Sequence, residues 1–78
     1  MSYDRERAAD LVLALMQLTI HDSDRAWKSF DWDVLNDLHD RGLISDPRSK
    51  AKSVMLTSEG IARSRQMFDR YLALVGKE

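Results

Sequence analysis

The stretch from Asp31 to Gly60, DWDVLNDLHDRGLISDPRSKAKSVMLTSEG, constrains this chain more than any other. Asp31 can accept the backbone amide of Asp33 or Val34 and so open a helix. Phe30, just before it, can pack on Leu35 as a hydrophobic staple. Asp33 suits the positive end of the helix dipole. Leu35, Leu38, Leu43 and Ile44 then face the core, and Gly42 supplies the left-handed residue that stops the helix. Asp46-Pro47-Arg48-Ser49 reads as a turn, because Pro47 fixes its own φ and the cluster breaks any helix. Ser53 to Thr57 alternates, with Val54 and Leu56 on one face and Met55 on the other. Ile44–Ser45 and this segment are expected to pair as two strands. Thr57 caps a last helix, its hydroxyl reaching the amide of Glu59 or Gly60. The result is a mainly α domain with a small two-stranded antiparallel β-wing.

Upstream, Arg7 to about His21 should be helical, since Ala, Leu, Met and Gln dominate and no Gly or Pro interrupts. Ala8, Leu11, Val12, Leu15, Leu18 and Thr19 fit one buried stripe. Leu13, Met16 and Ile20 fall largely outside it, which suggests a second apolar face for a partner subunit. Ser23 or Asp24 can cap a short second helix, roughly 24–29. In the last helix Ile61, Ser64, Phe68, Tyr71, Leu72 and Val75 make the inward stripe. Met67 and Leu74 lie to one side and could extend the homodimer contact.

The chain has 78 residues, room for one domain over 1–78 and one small core. It has no cysteine for a disulfide or thiolate metal site, so helix packing must stabilise it, with a partner subunit as a further source. Its longest apolar run, Leu11 to Met16, is too short to span a bilayer, and no basic start precedes it as in a signal peptide. A cytoplasmic location and no membrane partner are expected. A net charge of −1 gives no global attraction to nucleic acid. The charges are nonetheless sorted. Residues 31–40 hold Asp31, Asp33, Asp37 and Asp40 and no Lys or Arg, whereas residues 41–52 hold Arg41, Arg48, Lys50 and Lys52 against Asp46. An acidic helix is followed by a basic turn.

Two resemblances follow from these residues. Leu35-x-x-Leu38-x-x-x-Gly42-Leu43-Ile44 with Leu56-Thr57-x-x-Gly60 resembles the winged helix-turn-helix of MarR- and PadR-type regulators. That resemblance implies a helix-turn-helix, a wing and DNA binding, by analogy of fold alone. More narrowly, HD at 21–22, RAWKSFDW at 25–32, LH at 38–39, GLISDPRSKAKSV at 42–54 and LTSEG at 56–60 resemble a family of short uncharacterised bacterial proteins. That family brings no activity, substrate or cofactor with it.

For DNA, the candidates are Arg41, Arg48, Lys50 and Lys52. A recognition helix needs basic or amide side chains, and Asp33, Asp37 and Asp40 would instead meet the phosphates. A basic wing alone predicts weak, salt-sensitive, nonspecific contact. A protein-interaction role is therefore favoured over a DNA-binding regulator. Its candidate interface residues are Leu13, Met16, Ile20, Met67 and Leu74, with Trp27 and Trp32 as aromatic anchors. Phe30 is assigned to the core. Arg25 and Lys28, beside the tryptophans, read as a clasp on the short second helix, with an anion pocket as the functional alternative. His21 and His39 match no metal-ligand spacing. No nucleophile elbow, acid–base pair or Gly-rich phosphate loop is present, so neither enzyme nor cofactor is expected.

Overall fold

The computed structural model describes residues 2–73. Three helices, α1 (Arg5–Met16), α2 (Trp32–Asp40) and α3 (Ser58–Tyr71), accompany two strands, β1 (Arg25–Trp27) and β2 (Ser53–Met55). A 3₁₀ turn, Gln17–Thr19, extends α1. The fold is mainly helical with a two-stranded antiparallel sheet, consistent with a winged-helix-like layout in which α2 alone stands between β1 and the wing.

The helix ends are set by local chemistry. Asp4 opens α1 by accepting the Arg7 amide at 2.9 Å. Asp31 opens α2, accepting from the amides of Asp33 and Val34 at 3.1 and 3.3 Å. At the far end Gly42 has φ +75°. Its amide reaches the His39 carbonyl at 2.9 Å and the Leu43 amide reaches Leu38 at 3.0 Å, a Schellman stop. Thr57 accepts the Gly60 amide at 3.0 Å, and its hydroxyl donates to the Gly42 carbonyl at 2.8 Å. One threonine thus caps α3 and anchors α3 to the end of α2.

The short second helix expected at 24–29 is instead β1. Asp22 and Ser23 adopt φ of 50° and 76°, and this left-handed pair reverses the chain. His21 and Arg25 then exchange backbone hydrogen bonds of 2.8 and 3.0 Å across the turn. Turn chemistry in Asp22-Ser23-Asp24 prevails over the capping role read from the same residues. Leaving the turn extended, Ala26 pairs with Val54, flanked by Arg25 with Met55 and Trp27 with Ser53. Ile44 reaches only a single bridge, to Leu56, so the principal partner of β2 is β1 rather than Ile44–Ser45. The outer side of β1 is also occupied, because the Trp27 amide donates to Thr19 Oγ1 at 3.3 Å.

Ala26 and Val54 point inward and join Ala9, Leu13, Met16, Leu35, Leu38, Ile44 and Leu56 in one core. α1 packs chiefly on α3 and secondarily on α2. At the α1–α3 contact the buried Ser64 hydroxyl lies 2.7 Å from the Leu13 carbonyl and 2.9 Å from Gln17 Oε1. The small, fully buried Ser64 lets the two helices approach.

The buried face of α1 is rotated away from the one read from its periodicity, although Ala8 and Val12 of that stripe still pack against the core. Ala9, Leu13, Ala14 and Met16 are fully enclosed, while Leu11, Leu15 and Leu18 face outward. Leu13 and Met16, assigned to a partner interface, are core residues of the chain itself, and so is Met67 on α3. The physical reason is degeneracy: α1 is apolar nearly all round, so two stripes satisfy the same helical spacing.

Candidate functional site

The four cations assigned to nucleic acid do not form one patch. Arg48 turns back on Asp46, which accepts its Nε and Nη2 at 3.0 Å each and its backbone amide at 2.9 Å. These donors hold the Asp46 carboxyl well below its usual range, at about 2. Arg41 leaves the wing altogether, its Nη2 lying 3.6 Å from Asp10 Oδ1 on α1. Lys50 and Lys52 stay exposed on the wing. Beside them, Lys28 donates from Nζ to the carbonyls of Pro47 and Ser49 at 2.8 and 2.6 Å. Lys28 is a clasp, but on the wing turn rather than on a second helix. Arg25 holds β2, donating from Nε to Ser53 Oγ at 2.9 Å.

The acidic face of α2 is partly neutralised by a residue far away in sequence. Asp37 accepts a fork from Arg5 Nε and Nη2, both at 2.9 Å. Asp33 and Asp40 remain exposed.

On the apolar side, Ile20 is half-buried against the core and Leu74 lies outside the described residues. Trp27 and Trp32 stand at the surface, 49% and 54% exposed, and Phe30 packs on the core. The Trp27 ring lies 4.7 Å from that of His21. Leu11, Leu15 and Leu18 form an outward row on α1 and its 3₁₀ extension, with Leu18 the most exposed at 66%. That row is the surface the sequence reading had placed inside.

Sequence reasoning missed a second constellation, centred on Asp10. This carboxylate is only 8% exposed, yet it stands in the middle of α1. It accepts Arg63 Nε at 3.0 Å and Nη2 at 3.1 Å, with Arg41 behind. Three helices thus meet at one acid, and donating to it raises the Arg63 pKa further. The available signal was that Asp10 is the single charge in the apolar run from Ala8 to Met16. Arg41, Leu43, Glu59, Ala62, Arg63 and Gln66 line an open cleft of about 380 Å³ in front of it.

Both histidines spend a ring nitrogen on the backbone. Nδ1 of His21 donates to the Thr19 carbonyl at 2.9 Å, and Nδ1 of His39 to the Ile44 carbonyl at 3.1 Å. Among the described residues, no three His, Cys, Asp or Glu side chains gather as metal ligands would. No helix among them is long and apolar enough to cross a membrane.

Residues 4–74 match a family described as a domain of unknown function, DUF6429. The chain belongs to this family. It is also 50% identical, over 70 residues, to the uncharacterised protein y4hR of Sinorhizobium fredii. That similarity covers 90% of this chain and 95% of the relative, so the two share essentially one domain. No solved structure matches the chain.

Proposed function

We propose that this protein is a non-enzymatic interaction module that associates with a second copy of itself through the outward face of α1. The observation that supports this is the row Leu11, Leu15 and Leu18, spaced four and then three residues apart. This is the d–a–d spacing of a helix-pairing seam. Single exposed leucines are ordinary on a protein surface, but three in line on one helix mark a contact surface. A domain this small, without a disulfide, gains stability by burying such a row.

Sedimentation of the pure protein tests the reading. A dimer is expected that resists salt and dissociates in Leu15→Glu and Leu18→Glu. A monomer at all concentrations, or a dimer indifferent to both substitutions, would overturn it.

A second reading, weak contact with nucleic acid, draws on Lys50 and Lys52 as exposed cations of the wing. With Arg48 engaged by Asp46, two phosphate contacts imply a slope of about −2 in log affinity against log salt. The same sedimentation runs with a random duplex at two salt concentrations measure it. A duplex that never co-sediments, even at low salt, removes that reading.

A further inference from the structure

We propose that the cleft between the end of α2 and the outer face of α3 is a binding site for a peptide carboxylate. Glu59, Ala62, Arg63 and Gln66 recur at the spacing of one helical face, and Arg41 and Leu43 close the other side. The volume, about 380 Å³, suits a side chain with its adjoining backbone.

The charge arrangement gives the site its specificity. One buried carboxylate, Asp10, faces two guanidinium groups. It satisfies a single fork, on Arg63, and leaves Arg41 at 3.6 Å, beyond hydrogen-bond distance. A guanidinium carries five N–H donors in a fixed plane, so Arg63 keeps free donors and Arg41 keeps nearly all of its own. Both side chains are about a third exposed and line the cleft. Asp10 therefore holds Arg63 in place and leaves guanidinium N–H donors without an acceptor at the wall.

A second carboxylate between Arg41 and Arg63 would engage those donors with the bidentate geometry guanidinium favours. Glu59 on the same lining repels a dianion and accepts an N–H, such as the backbone amide beside an acidic side chain. Leu43 and Ala62 give the aliphatic part an apolar floor, and the Gln66 amide can donate or accept. A singly charged carboxylate with a neighbouring N–H matches all of these groups, and inorganic phosphate does not.

The test is titration of the full chain, followed by ¹H–¹⁵N spectra including the arginine Nε–H signals. The probes are a capped glutamate (N-acetyl, N-methylamide), its glutamine counterpart and inorganic phosphate. Saturable shifts are expected at Arg41, Arg63 and Gln66 with capped glutamate, at millimolar affinity. The glutamine analogue and phosphate should bind at least about tenfold more weakly, as loss of a charged hydrogen bond implies. Arg41→Gln should weaken capped glutamate by a similar factor while spectra away from the cleft are unchanged, because the Asp10–Arg63 fork remains. Arg48→Gln should change nothing at this site. The absence of shifts up to about 10 mM, phosphate binding as tight as glutamate, or full binding by Arg41→Gln would each overturn the proposal. None of these outcomes depends on whether α1 pairs with a second copy.

Discussion

Gly60 stands directly against the backbone of Leu43: a β-carbon at position 60 would overlap the Leu43 carbonyl oxygen and come 2.9 Å from its carbon. The contact occurs where the first turn of α3 crosses the strand-like segment after α2. The Thr57 amide donates to that same Leu43 carbonyl at 3.0 Å. The obstacle is backbone on both sides, so no rotamer change can relieve it. Gly60→Ala is expected to cost about 3 kcal/mol or more, the upper end of overpacking. Urea denaturation measures it, and a loss below 1 kcal/mol, about what helix propensity alone offsets, would contradict this close approach.

The orientation of α1 makes two leucines of equal chemistry behave differently. Leu13 is wholly enclosed, and Leu13→Ala should lose about 2–5 kcal/mol. Leu18 projects outward, and Leu18→Ala should change monomer stability by no more than about 0.5 kcal/mol. The comparison is made at protein concentrations too low for association. Equal losses at the two sites would return α1 to the face its periodicity first suggested.

Acid should loosen the wing turn over a defined range. Asp46 titrates at about 2 in the folded chain against an ordinary 3.8. A carboxyl with a depressed folded pKa contributes stability that is complete above its unfolded pKa and disappears as pH falls through the folded one. The contribution is therefore present above about pH 4 and lost toward pH 2. Carbon-detected titration of the Asp46 carboxyl should give the low midpoint, and Arg48→Gln should return it toward 3.8. A midpoint near 3.8 in the unsubstituted protein would mean that the Arg48 fork does not persist in solution.

The local devices of this fold are written in short, self-sufficient stretches of sequence. Asp31 and Thr57 cap their helices through amides within three residues, and Gly42 takes the left-handed conformation its place demands. The extended conformation of the segment around Val54, with Val54 inward and Met55 outward, also follows from alternation. None of these needs a distant partner. By contrast, Asp22-Ser23-Asp24 supports either a helix cap or a reversal, and pairing with β2 decides for the reversal. α1 offers two apolar stripes of similar quality. Only the fit of Ser64 on α3 against Leu13, together with the Asp10–Arg63 fork, selects which stripe is buried. The cations divide the same way: Arg48 turns to its neighbour Asp46, whereas Arg41 turns to the distant Asp10. What the sequence by itself determined are the caps, the stops and the alternating strand, because these depend on neighbours along the chain. What only the tertiary structure decided are the buried face of α1 and the forks of Arg5 on Asp37 and Arg63 on Asp10, because those energies arise between segments more than thirty residues apart.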